Sequence, residues 1–268
     1  MPGLISLHSL QLSDLPKLAA LPKVLQHNSV LKTLNIRHCP GLMTLPDWFG
    51  KLTSLHLLSI SDCSELKSPG EGWLENLTSL KDLAIINCPE LNFSDEDNDM
   101  PVLRSLHFLV LQALPKLAAL PKVLQHNTVL ESLHISYCPG LMTLPNWFGK
   151  LTSLQRLQIF DCSELKSPVE GWLENLTFLK WLNISNCPEL NISDEDNDMP
   201  GLISLHSLQL SDLPKLVALP KVLQHSTALE TLEIRRCPGL MTLPDWMSDY
   251  RCVRLINLQA TNLDALAY

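Results

Sequence analysis

Leucine and isoleucine return at short fixed intervals along this chain, in units of the form L-x-x-L-x-(L/I)-x-x-(C/L) that begin at Leu7, Leu31, Leu55 and Leu80. The unit restarts at Leu106, Leu130, Leu154 and Leu179, then at Leu205 and Leu229, and Leu255 to Leu263 reads as a degraded copy. Apolar and polar positions alternate within each unit, which predicts an extended segment with Leu34 and Ile36 facing inward and Asn35 and Arg37 facing outward. One such segment cannot bury its apolar face alone. Stacked neighbours can, so the pattern predicts a parallel sheet on one side and a continuous Leu/Ile core behind it.

A longer period is superimposed on the short one. Met1-Pro2 opens a block that returns at Met100-Pro101 and Met199-Pro200, an offset of 99 residues each time. The ninth position of the unit is Cys39, Cys63, Cys88, Cys138, Cys162, Cys187 and Cys237, where a small buried thiol can satisfy backbone groups as the chain leaves the strand. Their spacing of about one coil, with no C-x-x-C pair, predicts free buried thiols in a reducing compartment instead of a zinc site or disulfides, with Cys252 outside the slot and more exposed. Proline punctuates the remainder of each unit, as in Pro40-Gly41 and Leu45-Pro46. Because Pro removes a donor and fixes φ, the backs should be irregular or 3-10, with short helical turns near Pro22 to His27 and Trp73 to Asn76. The in-register Trp48, Trp73, Trp147, Trp172 and Trp246 are expected to pack there.

The 20–29-residue period with a strand in each unit is the leucine-rich repeat pattern. The expected fold is an α/β-type solenoid, a leucine-rich repeat horseshoe of about ten to eleven repeats over residues 1–268, with the parallel sheet on its concave face. The runs L-x-x-L-x-I-x-x-C-P-G-L-x-x-L-P-x-W-F-G-K-L-T-S-L at Leu31 to Leu55 and Leu130 to Leu154 resemble the C-terminal repeats of plant intracellular nucleotide-binding disease-resistance proteins of the coiled-coil type. That resemblance implies a cytoplasmic immune-receptor arm whose partner is a protein: a pathogen effector, a guarded host protein, or the receptor's own nucleotide-binding domain. Gly50-Lys51 and Gly149-Lys150 lack the remaining residues of a phosphate loop, so nucleotide binding is not expected of this chain. Met1-Pro2-Gly3-Leu4 recurs verbatim at Met199, so Met1 reads as an interior residue and the chain as a piece of a longer array. Two other readings stand beside this one: a secreted leucine-rich inhibitor of a pathogen enzyme, and a truncated receptor product without a partner.

The differences between the copies fall on the outward face, where either selection of a binding surface or free drift of exposed positions would place them. Blocks one and two differ at 23 of 99 positions, and 16 of those changes fall on the 20 outward strand positions. Lys32, Thr33, Asn35, Arg37 and His38 become Glu131, Ser132, His134, Ser136 and Tyr137, while exposed loop residues such as Lys17, Lys23 and Gln26 are copied without change. The scaffold was copied and its face was altered, which points to a binding face. In block two that face gains Phe108, Tyr137, Phe160 and Trp181 together with Arg156, the residue types that dominate interface hot spots. Arg156 and Trp181 hold equivalent slots of neighbouring coils and are expected to stack. Lys32, Arg37, His38, His134, Arg235 and Arg236 complete the candidate partner-binding set.

Charge and composition narrow the classes that remain. Net charge is −8, with eight carboxylates confined to the two S-D-E-D-N-D segments at Ser94 to Asp99 and Ser193 to Asp198. That balance argues against a nucleic-acid partner. The two segments lack the turn glycine and distal glutamate of a calcium loop and read as solvated charge. No apolar run reaches a membrane-spanning length, and no basic-then-apolar leader opens the chain, so neither membrane partner nor secretion is expected. The nine histidines repeat with the scaffold instead of converging, and no nucleophile elbow is present. The reading is therefore a binding protein, not an enzyme, with no cofactor, no metal and no small-molecule substrate.

Overall fold

The computed structural model describes residues 5–67, 73–74, 76–93, 103–167, 172–193, 201–249 and 254–256. They fall into two compact units, Met1–Leu130 and Glu131–Tyr268. The first holds five strands, β1 (Ser9–Ser13), β2 (Thr33–Arg37), β3 (Leu57–Ser61), β4 (Asp82–Ile86) and β5 (Phe108–Gln112). Each pairs in parallel with the next, in register, so Leu10, Leu34, Leu58, Leu83 and Leu109 form one row and Leu12, Ile36, Ile60, Ile85 and Leu111 another. The second unit repeats the arrangement with β6 (Ser132–Ser136), β7 (Arg156–Phe160), β8 (Trp181–Ser185), β9 (Ser207–Ser211), β10 (Thr231–Arg235) and the short β11 (Arg254–Ile256).

The period-two pattern decides which side chains are hidden. Leu34 and Ile36 are at most 1% exposed, as are Leu133, Ile135, Leu157, Ile159, Leu182 and Ile184, while the residues between them face outward. A solenoid is the arrangement that buries these rows in both units, because each coil covers the apolar edge of its neighbour. Burying a leucine contributes roughly 1.5–3 kcal/mol, so the repeated inward rows supply most of the driving force.

The turn out of each strand has a uniform geometry. The eighth residue of every unit adopts a left-handed backbone, with φ between 49° and 56° at Asp14, His38, Asp62, Asn87, Ala113, Tyr137, Asp161, Asn186, Asp212 and Arg236. In eight of these ten its N–H donates to the strand-end carbonyl of the following coil, as from Asp62 to Ile86 and from Tyr137 to Phe160, both at 3.0 Å. The chain then turns inward and buries the ninth residue, save Leu15 of the first coil, which is exposed. All seven slot cysteines are free and buried, and each thiol donates to the carbonyl two residues before it, at 3.3–3.5 Å. The slot thus serves the satisfying role that its repetition suggests. Cys252 lies outside the described residues, as do residues 94–99 and 194–198 of the two S-D-E-D-N-D segments.

No α-helix occurs among the described residues; the backs of the coils are loops, turns and single 3-10 segments such as Lys23–His27 and Phe49–Lys51. The helical turn expected near Trp73 to Asn76 is absent: Trp73, Leu74 and Asn76 lie in turns. There the tryptophan is held by ring packing, 6.0 Å from Phe49 and 6.2 Å from Phe93, so side-chain contact replaces a helical ladder. Trp172 packs edge-on against Phe148 at 5.6 Å in the same way. Glycine follows proline where coils approach closely. A Cβ at Gly41 would stand 2.5 Å from the Pro16 carbonyl oxygen, and one at Gly239 would stand 2.6 Å from that of Pro214.

A buried polar side chain ties adjacent coils on the other side of the strands. Asn127, 1% exposed, donates through Nδ2 to the carbonyls of Leu103 and Leu106 and accepts at Oδ1 from the N–H groups of Val129 and Leu130. Asn28 bonds Leu7 and Val30 in the first copy, and Ser226 takes the slot in the third through a bond to the Leu202 carbonyl.

Candidate protein-recognition face

In the first unit the candidate residues stand on the solvent side of the strands. Lys32, Arg37, His38 and Phe108 are all exposed. Arg37 and His38 lean toward Asp62, at 3.9 and 3.6 Å, and Asn87 donates to the same carboxylate at 2.9 Å. The Phe108 ring, 45% exposed, stacks beside His107 with centroids 6.5 Å apart.

The second unit carries the denser cluster. In-register pairing of β7 with β8 sets Arg156 opposite Trp181, and the guanidinium carbon sits 4.7 Å from the indole centroid. The stack expected from their equivalent slots is therefore present. One strand earlier, His134 is fixed at both ring nitrogens, by Gln158 Oε1 at 3.1 Å and Ser136 Oγ at 2.9 Å. Its ring meets Phe160 edge-on at 5.5 Å. Tyr137 is 56% exposed on the left-handed turn beside the end of β7. Holding a bulky residue there costs on the order of 1–3 kcal/mol, where Asn or Asp sits in neighbouring coils with less strain.

Beyond Phe160 the face becomes polar and ordered. Asn183 donates to Gln209 Oε1 at 2.6 Å, and Ser211 donates to Ser185 at 2.8 Å. Glu233 pairs with Arg235, and Arg236 clasps Asp212 with two hydrogen bonds of 2.6 Å. That pair holds the Arg236 guanidinium above its ordinary value. Phe160, Asn183, Ser185, Gln209, Glu233 and Arg235 border an open depression of about 190 Å³. Within this unit, then, Arg156 with Trp181 and His134 with Phe160 are brought together, and Phe160 borders the same depression as Arg235 and Arg236.

The outward-slot comparison did not single out Phe178, 61% exposed just before the strand, or the Asn183–Gln209 and Ser185–Ser211 pairs. A signal for Phe178 did exist, since the first copy has Ser79 at that position and loop residues otherwise change little. The paired amides and hydroxyls have no such signal, because they arise from register between coils.

Parallel single-strand coils with alternating buried Leu/Ile and a buried Cys slot define a leucine-rich repeat protein. R13L1/DRL21 leucine-rich repeats match residues 23–88 and 116–187, just over half of the sequence, and the chain belongs to that family. It is similar to disease resistance protein RPP5 of Arabidopsis thaliana, 35% identical over 164 residues that make up 60% of this chain and 10% of that protein. Disease resistance protein RPS4 of the same plant is 28% identical over 154 residues, 56% of this chain and 11% of that protein. The chain thus spans about a tenth of the length of these relatives. Among solved structures, the leucine-rich repeat domain of the type III effector XopL shares the fold with a TM-score of 0.62 and 22% identity, over 95% of this chain and 78% of that one. PEPR1 in its AtPEP1 structure matches with a TM-score of 0.54 and 21% identity, over 93% of this chain and 41% of that one. Among the described residues no helix is long and apolar enough to cross a membrane.

Proposed function

We propose that this chain is the protein-recognition arm of a plant intracellular immune receptor, and that the strand face of its second unit takes the partner. The partner is a pathogen effector, a host protein altered by one, or the receptor's own nucleotide-binding domain. Similarity to two plant disease resistance proteins supports the receptor setting, and seven buried free thiols suit a reducing cytoplasm.

One observation carries the choice of face. Arg156 and Trp181 form an exposed stacked pair in slots where the first copy of the same scaffold has Leu57 and Asp82. A stacked Arg and indole bury large area at low entropy cost, the composition of interface hot spots. His134 and Phe160 extend the rigid surface, and the fixed amide and hydroxyl pairs beside them supply directional polar contacts.

The test is proximity labelling in plant cells with the full receptor, comparing the native sequence with a variant carrying alanine at Tyr137, Phe160 and Trp181. A partner that labels the native protein and disappears from a variant of equal abundance supports the reading. An unchanged set of labelled proteins removes it.

A further inference from the structure

The strand face of the first unit carries a feature that the partner site above does not use. The second position of its five coils is His8, Lys32, His56, Lys81 and His107, a cation or a titratable imidazole at every step. The backbone makes these residues one row: the N–H of Lys32 donates to the His8 carbonyl, His56 to Lys32, Lys81 to His56 and His107 to Lys81, each at 2.8 Å. Adjacent strands lie about 4.8 Å apart, so the row runs roughly 19 Å across the strands.

The imidazoles are oriented. Nδ1 of His56 lies 2.6 Å from the Ser54 carbonyl oxygen, and Nδ1 of His107 lies 2.6 Å from that of Ser105. A carbonyl only accepts, so Nδ1 carries the hydrogen in both and Nε2, at the other end of the ring, is the nitrogen left to take up a proton. Lys32 and Lys81 are exposed, and no ion pair among the described residues holds either ammonium. Within the first unit the charged groups flanking the row are Asp82 in the neighbouring row and Arg104 before the fifth coil; the other flanking positions, Ser9, Thr33, Leu57 and Phe108 on one side and Ser6, Val30, Ser54, Ser79 and Ser105 on the other, are uncharged.

The copies show that the scaffold does not require this charge at two of the slots, while Lys81 recurs as Lys180 and His8 as His107 and His206. At the slot of Lys32 the second and third copies have Glu131 and Glu230, and at the slot of His56 the second copy has Gln155. Yet the Glu131 carbonyl accepts the N–H of Gln155 at 2.8 Å, as the Lys32 carbonyl accepts that of His56. The backbone is the same and the sign of the side chain is reversed.

We propose that this row is a docking strip for an extended acidic segment of a partner protein, about six residues laid across the strands with its carboxylates on Lys32, Lys81 and the Nε2 ends of the histidines. The length follows from a 19 Å strip and about 3.3 Å per extended residue. Charge complementarity selects the occupant, and it does not depend on the partner face of the second unit.

The probe is an end-blocked, fluorescein-labelled six-residue Asp/Glu peptide, its Asn/Gln counterpart, and a labelled single-stranded oligonucleotide of similar charge, titrated into the intact chain. The comparison protein carries Lys32→Glu and His56→Gln, residues that the second copy already accommodates at these slots. The proposal predicts that the acidic peptide binds at least tenfold tighter than the amide peptide. It also predicts weakening in added salt and at least a tenfold loss in the double variant, with the circular dichroism melt unchanged. Equal binding of the two peptides, equal binding by the variant, or tighter binding of the oligonucleotide overturns it.

Discussion

Arg156 and Trp181 occupy the same slot of consecutive parallel strands, and the guanidinium carbon of the first stands 4.7 Å from the ring centroid of the second. Each therefore limits the freedom of the other before any partner arrives, which lowers the ordering cost of association. The two should act as a unit. In a double-mutant cycle, Arg156→Ala and Trp181→Ala are expected to couple by about 0.5–1 kcal/mol in partner affinity measured by calorimetric titration. Strictly additive losses would show that the stack contributes nothing to recognition.

Asn127 shows how a coil boundary is held by polar atoms. Its side chain makes four hydrogen bonds to backbone groups while only 1% exposed. Asn127→Ala strands those groups and should lower stability by about 2 kcal/mol or more. Asn127→Ser should cost less, since the third copy already holds Ser226 at that position with one bond to the Leu202 carbonyl. Urea denaturation of the three proteins orders them, and an alanine variant as stable as the serine variant would contradict the assignment.

Tyr137 sits at φ 54° where neighbouring coils have Asp161 and Asn186, at 52° and 51°. Asn tolerates the left-handed region far better than Tyr. Tyr137→Asn is expected to raise stability by about 1 kcal/mol while weakening partner binding, the sign of a strained residue kept for function. Thermal melting and affinity measured on the same samples check both directions. A variant that is less stable, or one that binds the partner as well as the native chain, contradicts the reading.

Much of the fold was legible in the spacing alone, and the reasons are local. Leu34 and Ile36 point inward because alternation in an extended segment leaves no other choice, and Cys39 is buried because its slot is where the chain turns in from the strand. The Arg156–Trp181 stack was legible too, since equal slots of paired coils must be neighbours. The left-handed turns were not. Asp, Asn or His fills seven of the ten slots and suits that conformation, but the spacing of the apolar positions does not reveal it, and Ala113, Tyr137 and Arg236 carry no such mark. The turn at Trp73 differs from a helix for a related reason: the contacts with Phe49 and Phe93 that hold it come from other coils.

The buried thiols link stability to pH. Burial raises the Cys39 and Cys237 thiols above the ordinary range. A group whose folded pKa is raised contributes stability that is fully present below its unfolded value, about 8.5 for a thiol, and is lost as pH rises toward the folded value. The urea midpoint should therefore hold up to about pH 8 and decline above it. Replacing Cys39 and Cys237 by alanine should make the decline between about pH 8.5 and 10 shallower. An identical slope in both proteins would show that these thiols do not carry the dependence.

The division between a copied interior and an altered outer row is tested most directly by the dissociation constant of one purified partner measured against three single variants. Phe160→Ala and Trp181→Ala change the strand face, whereas Met142→Ala removes an exposed apolar side chain of the same unit from the loop beyond the strand. The expected result is a loss of roughly thirtyfold, about 2 kcal/mol, for each of the first two and less than twofold for the third. Full affinity in Phe160→Ala and Trp181→Ala with a large loss in Met142→Ala would contradict the account.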